Sequence, residues 1–263
     1  MELSERPTAL ITGASSGFGV EFTRLFAADG YDVVMAARSG DAMQAVANEV
    51  RGRYDVDVDV IAIDLSESGA SADLVARLLE RNVIVDVLVN NAGFSTYGEF
   101  WRDDPSAQSD MLAVNVVALT ELSRLILPGM VERGRGRVIN LGSVGSFSAA
   151  PMTAAYAATK AYVLSLSLAM AEELRGSAVT VTCLCPGPTA TGFQERAAMH
   201  DSALIRGRKL PGAREVAEAG FAAMKAGKPY VITGATSKLF AFGSRFLPRT
   251  FTAQIAGRSQ RRL

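Results

Sequence analysis

The chain is organised around residues 8–19, which read TALITGASSGFG. Residues 8–12 form an apolar run between Pro7 and Gly13, and such a run predicts a buried strand. Residues 17–29 then carry apolar side chains at helical spacing, namely Phe18, Phe22, Leu25 and Phe26. A glycine-rich turn therefore joins a first strand directly to a first helix.

The glycines of this turn have separate physical roles. Gly13 permits a tight turn, Gly17 lets a phosphate approach the backbone, and Gly19 permits close packing of helix on strand. The helix N-terminus offers free N–H groups and a positive dipole end to a pyrophosphate. The turn thus predicts a dinucleotide site, although many α/β proteins have glycine in the turn between the first strand and the first helix. Its residues are Gly13, Ser15, Ser16, Gly17, Phe18 and Gly19.

The end of the second predicted strand indicates which dinucleotide binds. Ala37-Arg38-Ser39 stands where a carboxylate would accept a ribose 2′-hydroxyl. No carboxylate is present, and the Arg38 guanidinium suits a 2′-phosphate, so NADP(H) is favoured over NAD(H). The alternative is that Arg38 is a surface loop residue. Asp64, at the end of the third strand, is expected at the adenine amino group, with Leu65 beside the ring.

Short apolar runs alternate with helical segments along most of the chain. Strands are predicted at 8–12, 32–37, 56–63, 85–90, 137–141, 179–184 and 230–233, and helices at 17–29, 40–51, 68–81, 107–132, 152–175 and 213–226. This alternation predicts an α/β fold with a doubly wound parallel sheet and helices on both faces. One dinucleotide-binding catalytic domain is expected over 1–235, and a C-terminal appendage over 236–263.

Composition excludes several other classes of protein. The chain has 263 residues, 49% hydrophobic and 21% charged, so it can bury a large core and is not disordered, collagenous or a coiled coil. Two cysteines cannot hold together a disulfide scaffold of this size. The N-terminus lacks a signal-peptide pattern, and no uncharged apolar run reaches about 18 residues. A soluble cytoplasmic protein is the expectation.

Charge is balanced overall but not along the chain. The formal net charge is zero, yet Glu218 is the last acidic residue, and the cations after it are Lys225, Lys228, Lys238, Arg245, Arg249, Arg258, Arg261 and Arg262. Residues 1–218 therefore carry a net negative charge. The basic end is either a solvated helix or a surface that meets an acidic subunit or an anionic membrane. Nucleic acid is not expected, because no binding motif occurs.

A third group of residues is typical of catalysis. Tyr156 and Lys160 lie four apart in a helical segment and share a face, and Ser143 follows the fifth strand. Together with the glycine turn, these residues resemble the short-chain dehydrogenase/reductase superfamily, in its compact branch of about 250 residues. The matching residues, in the family's order and spacing over 8 to about 235, are Thr12-Gly13-x-x-x-Gly17-x-Gly19, Asn90-Asn91-Ala92-Gly93, Asn115, Ser143, Tyr156-x-x-x-Lys160 and Pro186-Gly187.

The resemblance implies a Rossmann sheet in the order 3-2-1-4-5-6-7 and hydride transfer between a carbonyl and an alcohol. Tyr156 would be the general acid or base. Lys160 would lower the tyrosine pKa and hold the nicotinamide ribose. Ser143 would orient the substrate oxygen, and Asn115 would support a water that relays protons to Lys160.

The resemblance also assigns the remaining cofactor contacts. Asn91, Ala92 and Gly93 would close over the adenine side, with Gly93 allowing the cofactor near the backbone. Pro186 and Gly187 would line the nicotinamide, and Thr189 could bond its carboxamide. A substrate lid would begin at Thr191-Gly192-Phe193, with Gly187 and Gly192 as hinges.

The expected partners are a small carbonyl or alcohol substrate and other copies of the chain. Related extended members act on lipophilic ketones, which is an analogy only. A homodimer or homotetramer is expected, because the helices at 107–132 and 152–175 are more apolar than one sheet face requires. The alternatives are a non-catalytic dinucleotide-binding regulator, a class that typically loses the tyrosine or lysine, and a Rossmann methyltransferase, which would need neither.

The spacing of apolar residues predicts an amphipathic helix over residues 236–257, beside the substrate cleft. Its apolar stripe is Leu239, Phe242, Phe246 and Leu247, and Pro248 is expected to kink or end the helix. This tail could wall an apolar pocket, contact another subunit or rest on a membrane. The first two are favoured, because one short helix with three flanking cations is a weak anchor.

No metal site is predicted. Cys183 and Cys185 face the same way on a predicted strand, but a metal needs further ligands and His200 is the only histidine. Buried or loop thiols are the favoured interpretation. His200 falls in the proposed lid and is expected to be a mobile surface residue.

Overall fold

The computed structural model describes residues 6–193, 197, 199 and 210–260. Within them lies one parallel sheet of seven strands in the order 3-2-1-4-5-6-7. The strands are β1 (Thr8–Thr12), β2 (Asp32–Ala37), β3 (Val58–Ala62), β4 (Val85–Asn90), β5 (Gly136–Leu141), β6 (Val179–Cys185) and β7 (Tyr230–Ile232). The predicted fold class and strand order are confirmed.

Helices cover both faces of this sheet. They are α1 (Gly17–Ala28), α2 (Gly40–Arg53), α3 (Ala70–Glu80), α4 (Pro105–Leu112), α5 (Leu119–Glu132), α6 (Ala154–Glu173), α7 (Ala213–Lys225), α8 (Ala235–Gly243) and α9 (Arg249–Gln260). Phe22 of α1 and Met43 of α2 belong to the core on one face, and Leu74 of α3 and Leu122 of α5 to the core on the other. Strands buried on both faces are nearly continuously apolar, and all six residues of β2 and of β4 are buried.

The helix predicted at 107–132 begins two residues earlier and is not uniform. The Asp104 carboxylate accepts a hydrogen bond from the Ser106 amide at 3.0 Å, and Pro105 occupies the first turn, where a missing N–H costs nothing. Between α4 and α5 the chain forms a π-helical segment, Ala113–Ala118, that contains Asn115. Such single turns of π-helix occur frequently at functional sites.

By length and mean hydropathy, the run Pro105–Glu132 is sufficient to cross a membrane. Charged residues such as Asp110 and Glu121 interrupt the run, so it contains no uncharged stretch of about 18 residues. Its inner face fills the core through Leu122, Ile126 and other buried side chains. We therefore interpret it as a core helix with an exposed apolar outer face.

The sheet has its topological switch point beside β1, which pairs with both β2 and β4. The chain reverses its direction of strand addition there, so a crevice opens at the carboxyl ends of β1 and β4. The sheet centre is tied by buried amides: Asn90 Nδ2 donates to Asn140 Oδ1 at 2.9 Å, and Asn140 Nδ2 donates to Ser167 Oγ at 2.9 Å. This rigid centre positions the loops that form the site.

Candidate active site

A cleft of about 620 Å³ lies at the carboxyl ends of the strands. It is lined by every predicted site residue except Gly19 and Asn115. Those lining it are Gly13, Ser15, Ser16, Gly17, Phe18, Arg38, Asp64, Leu65, Asn91, Ala92, Gly93, Ser143, Tyr156, Lys160, Pro186, Gly187 and Thr189. The fold thus brings together residues that are up to 176 positions apart in the chain.

The glycine turn at one end of the cleft is tightly packed. Gly13 has φ of +64°, and a Cβ there would lie 2.8 Å from the Ala92 Cα. A Cβ on Gly19 would lie 2.3 Å from the Gly13 carbonyl oxygen, which explains why Gly19 shapes the site without lining it. Gly17 has φ of +55°, and its Cβ would meet Thr191 at 3.2 Å, a contact from the start of the proposed lid.

A threonine that the sequence analysis did not single out connects this turn to β4. The Thr12 hydroxyl accepts hydrogen bonds from the amides of Asn91 and Ala92, both at 3.0 Å, and donates to the Val89 carbonyl at 3.2 Å. Asn91 Nδ2 in turn donates to the Thr12 carbonyl at 2.8 Å. The two loops that would enclose a pyrophosphate are therefore one hydrogen-bonded unit. Its signal in the sequence was only the threonine before the first glycine.

Arg38 and Asp64 meet at the far end of the same half of the cleft. Arg38 is exposed, and its Nη1 lies 3.8 Å from Asp64 Oδ2. Burial alone would raise the pKa of Asp64, but hydrogen bonds from the amide and hydroxyl of Ser66, together with the Arg38 guanidinium, lower the pKa overall. A charged guanidinium thus stands where the sequence predicts a 2′-phosphate, with a carboxylate beside it.

The predicted catalytic residues lie together at the middle of the cleft. Ser143 follows β5, and Tyr156 and Lys160 share one face of α6. Ser143 lies close enough to Tyr156 to lower the pKa of the tyrosine. The Ser146 hydroxyl joins the two elements, because it donates to the Lys160 carbonyl at 2.7 Å and accepts from the Ser143 amide at 3.2 Å. This contact holds Ser143 against the helix that carries the tyrosine.

Burial dominates the protonation of the pair. It raises the pKa of Tyr156 to about 12, although the neighbouring Ser143 acts in the opposite direction. It also lowers the pKa of Lys160 to about 8. Lys160 Nζ donates to the Leu141 carbonyl at 2.7 Å and lies 5.7 Å from the centre of the Tyr156 ring. Lys160 is not among the causes of the Tyr156 shift, so the lowering of the tyrosine pKa by Lys160 stays a prediction.

Asn115 is buried and holds the loop after β4. Its Oδ1 accepts from the Phe94 amide at 3.1 Å, and its Nδ2 donates to the Phe94 carbonyl at 3.0 Å and to Thr159 Oγ1 at 3.2 Å. A Cβ on Gly93 would lie 2.9 Å from Asn115 Oδ1 and 3.5 Å from Lys160 Nζ. Asn115 therefore positions the loop beside Lys160. The water relay implied for it stays a prediction.

The other half of the cleft is built largely from residues that the sequence analysis missed. We call this the substrate half; its lining residues are Phe94, Ser95, Asp110, Val114, Ser148, Ala150, Thr153, Met199, Phe240, Ile255, Ala256, Ser259 and Gln260. Two hydrogen bonds hold the end of α9 at this half of the cleft. The Tyr97 hydroxyl donates to the Gln260 carbonyl, and Thr153 Oγ1 donates to Gln260 Oε1 at 2.9 Å. No local sequence motif indicates these contacts, because the residues that make them are more than 100 positions apart in the chain.

The predicted tail does lie beside the cleft. However, the residues that line the cleft are not those of the predicted stripe, and the helices have other bounds than predicted. Its lining residues include Phe240 and Ile255, whereas all four residues of the predicted stripe are exposed. The tail therefore does line the pocket, which was one of the predicted alternatives, but it does so through residues outside the stripe. Pro248 does not end the first tail helix, because α8 already ends at Gly243; the Pro248 carbonyl instead accepts the first hydrogen bonds of α9, from Phe251 and Thr252.

The start of the predicted lid covers the tyrosine. The Phe193 ring packs against Tyr156 with centroids 5.4 Å apart. Gly192 has φ of +68° and open space around it, as a hinge requires, but a Cβ on Gly187 would lie 2.3 Å from Ser237 Oγ, so Gly187 is packed against α8. His200 and most of the lid lie outside the described residues.

Two thiols lie beneath this site. Cys183 and Cys185 are fully buried, with their Sγ atoms 3.7 Å apart and both within 2.9 Å of where a Gly142 Cβ would be. They are free thiols, as the sequence indicated. Across the described ranges, no cluster of three or more His, Cys, Asp or Glu side chains could hold a metal.

The chain belongs to the short-chain dehydrogenase family. The family model for short chain dehydrogenases matches residues 7–201. A very-long-chain 3-oxoacyl-CoA reductase from Bos taurus is 32% identical over 70% of this chain, and the chain spans 59% of that protein's length. A putative ketoacyl reductase of granaticin polyketide synthesis from Streptomyces violaceoruber is 32% identical over 74% of this chain and 72% of its own.

Solved structures agree with this assignment. A short-chain dehydrogenase from Sphingobium yanoikuyae in complex with NADPH is 30% identical, covers 91% of this chain and 93% of its own, and superposes with a TM-score of 0.82. A family member from Burkholderia phymatum in complex with NAD is 25% identical, covers 100% and 99%, and has a TM-score of 0.81. Both nicotinamide dinucleotides therefore occur among the structural neighbours.

Proposed function

We propose that this protein is an NADP(H)-dependent oxidoreductase that interconverts a carbonyl and an alcohol. The observation that carries the proposal is a single cleft with the glycine turn at one end and the Ser143–Tyr156–Lys160 group at its middle. A nicotinamide dinucleotide supplies the hydride when bound, and the residues that line the cleft fit it. The similarity to ketoacyl reductases supports the same reaction class.

The protein's own contribution is to orient the carbonyl and to move a proton. With a pKa of about 12, the Tyr156 hydroxyl is protonated at neutral pH and is ready to donate to the oxygen of a carbonyl undergoing reduction. The Ser143 hydroxyl, beside Tyr156, orients the same oxygen. Lys160, with a pKa of about 8, is mostly cationic at pH 7 and favours charge on the neighbouring oxygens.

NADP(H) is the proposed dinucleotide because of Arg38. Its guanidinium stands at the end of β2, and Ser39 beside it also lines the cleft. A planar guanidinium binds phosphate oxygens in pairs, which a ribose hydroxyl cannot exploit. The NADPH complex of a structural neighbour agrees with this choice, and the NAD complex of another makes Arg38 the residue to test.

The substrate half favours a lipophilic carbonyl. Its largest lining side chains are apolar, namely Phe94, Phe240 and Ile255, and Asp110 on α4 is the one charged side chain among the lining residues named for that half. An anionic group close to the reacting carbonyl would meet this carboxylate, whereas an acyl chain or a ring system would not. The bulky-bulky ketone specificity named for a Comamonas testosteroni structure, 29% identical, is consistent with such a pocket.

The test is an assay of NADPH consumption with a panel of lipophilic ketones and 3-oxoacyl thioesters. Tyr156→Phe should lower turnover by about 10²- to 10⁴-fold, because it removes the proton donor, and should leave NADPH binding intact. Tyr54→Phe, at the end of α2 and outside the cleft lining, is the matched control, and it should keep full activity. If the unmodified protein binds NADPH but turns over nothing in the panel, a dinucleotide-binding regulator is the better description.

We also propose a homo-oligomer, formed through the outer faces of α5 and α6. Val117 and Leu125 are exposed on the 105–132 run, and Ala158, Ala161 and Tyr162 are exposed on α6. Small and apolar side chains allow two helices to approach closely, and exposed apolar area of this kind marks an interaction site. Light scattering should give a dimer or tetramer at micromolar concentration, and a monomer would refute this.

A further inference from the structure

The two tail helices and the turn between them carry large apolar side chains that are exposed. We call Leu239, Phe242, Phe246, Leu247 and Phe251 the tail row, and all five are exposed. Leu239 and Phe246 expose 73% and 72% of their surface, and the rings of Phe242 and Phe246 pack against each other, with centroids 5.2 Å apart. Exposed large apolar side chains concentrated on one short segment are a candidate interaction site.

The row faces outward because the inward positions hold small residues. Ser237 and Ala241 of α8 and Thr252 and Ala256 of α9 are buried against the domain. A Cβ on Gly187 would already lie 2.3 Å from Ser237 Oγ, so this contact has no space for larger side chains. Close docking of the tail therefore leaves its largest apolar groups unburied.

Cations without acidic neighbours surround the tail row. Lys238, Arg245, Arg249 and Arg258 are exposed, and no acidic residue follows Glu218. Among residues 6–193, 197, 199 and 210–260, none of these four forms an ion pair; Arg245 instead donates to the Tyr230 hydroxyl at 3.3 Å. The described part of the tail thus combines exposed apolar side chains with cations that form no ion pair among the described residues.

We propose that the tail row docks on the surface of an anionic phospholipid bilayer. Aromatic and aliphatic side chains enter the interface between headgroups and acyl chains, and flanking Lys and Arg side chains bind the anionic headgroups. The sequence disfavoured this partner because one short helix is a weak anchor. The structure favours the membrane more than the sequence did, because the five exposed apolar side chains lie on two helices and the turn between them and not on one short helix.

A second copy of this chain fits the tail row less well. In a twofold contact the same surface is used on both subunits, so the segment with Lys238, Arg245 and Arg249 would meet an equally basic segment with no acid on either. Like charges brought together at an interface are unfavourable. An anionic bilayer satisfies both the charge and the apolar groups.

Docking would also bring the cleft close to the lipid. Ile255 is part-exposed and lines the cleft, and Phe240 lines it from between Leu239 and Phe242. The outer surface of the tail therefore continues into the substrate half. The docking proposal does not depend on the reaction, because its readout is binding to lipid.

The test is sedimentation of the full chain with vesicles. The protein should sediment with vesicles of phosphatidylcholine and phosphatidylglycerol in equal parts, and much less with phosphatidylcholine alone or at high salt. Phe242→Ser with Phe246→Ser should abolish sedimentation. The matched control is Leu79→Ser, because Leu79 on α3 is 69% exposed, and it should bind as the unmodified protein does.

The electrostatic contribution is tested separately. Arg245→Gln with Arg249→Gln should weaken binding to the anionic vesicles by about fivefold per cation removed. Arg81→Gln with Arg175→Gln, two exposed cations elsewhere, should have no such effect. The proposal is overturned if the unmodified protein does not bind anionic vesicles. It is also overturned if the control variants lose as much lipid binding as the tail variants, or if the Phe242→Ser, Phe246→Ser variant still binds the vesicles. A change in oligomeric mass without any lipid binding would assign the tail row to a second copy of the chain.

Discussion

The two halves of the cleft are built in different ways. We call the half of the cleft that holds the glycine turn and Arg38 the cofactor half. Each of its walls is the turn that directly follows a strand, and the Thr12 hydroxyl joins two such turns. In the substrate half, the walls come from distant segments, and the end of α9 is held by hydrogen bonds from Tyr97 and Thr153 to Gln260. One half depends on backbone packing and short motifs, and the other on a few side-chain contacts across the fold.

This difference predicts unequal sensitivity to substitution. The cofactor half should fail when a single atom is added, because its backbone segments are already in contact. The substrate half should respond gradually, because loosening α9 changes the shape of a pocket without disturbing the sheet. Four predictions test the contrast, beginning with the largest effect.

Gly19→Ala should unfold or severely weaken the cofactor half. The new Cβ would lie 2.3 Å from the Gly13 carbonyl oxygen and 2.7 Å from the Ala14 Cα, and neither backbone atom can move freely. We expect a loss of about 3 kcal/mol or more in the free energy of unfolding, measured by urea denaturation. Gly52→Ala is the control: no atom lies within 4 Å of its Cβ position in α2, and it should be neutral or stabilising by about 0.5–1 kcal/mol.

Lys160→Met should stabilise the fold at neutral pH while lowering turnover. Burial lowers the pKa of Lys160 to about 8, below the value of about 10.4 in an unfolded chain, so the charged form is disfavoured in the folded protein. That penalty is fully present below pH 8 and disappears as the pH rises toward 10.4. After the lost hydrogen bond to Leu141 is subtracted, the expected gain at pH 7 is about 2 kcal/mol.

The same experiment has an internal check. The gain from Lys160→Met should shrink when urea denaturation is repeated at pH 10, because unmodified Lys160 is then mostly neutral in the folded state. Titration of Tyr156 occurs in both proteins and cancels from the comparison. A gain that stays constant from pH 7 to pH 10 would show that better packing, rather than relief of a buried charge, is responsible.

Arg38→Ala should reduce the preference for NADPH over NADH by about tenfold. The estimate is at the lower end for a charge-assisted hydrogen bond, because Arg38 is 71% exposed and solvent screens its charge. Fluorescence titration with each dinucleotide measures the two dissociation constants. NADH affinity should be almost unchanged; equal affinities in the unmodified protein would instead show that Arg38 does not read the 2′-phosphate.

Tyr97→Phe should have the smallest effect and should confine it to the substrate half. It removes one hydroxyl that donates to Gln260, worth about 1 kcal/mol, so the KM for a carbonyl substrate should rise by about fivefold. The dissociation constant of NADPH should not change. Tyr54→Phe, at the end of α2, serves as the control. A weaker NADPH affinity in Tyr97→Phe would mean that the two halves of the cleft are coupled.

Much of the fold and of the cofactor half was predictable because the signals are local. A strand buried on both faces must be apolar, so the seven strands were found within about two residues of their ends. The glycine turn and the Asn91–Gly93 loop are contiguous, and helix geometry alone places Tyr156 and Lys160 on one face. The sequence also indicated buried, unbridged thiols at Cys183 and Cys185.

The remaining features depended on what each segment packs against. The pattern of Leu239, Phe242 and Phe246 is amphipathic, but the domain surface beneath the tail is closely packed and accepts Ser237 and Ala241 instead. The raised pKa of Tyr156 follows from desolvation, which no residue spacing reveals. The sequence by itself determined the positions of the strands and the residues at their ends, because both arise from neighbours in the chain, whereas the strand order followed from the family resemblance. Tertiary packing alone determined which face of the tail meets solvent and how the substrate half closes, because both depend on contacts between segments far apart in the chain.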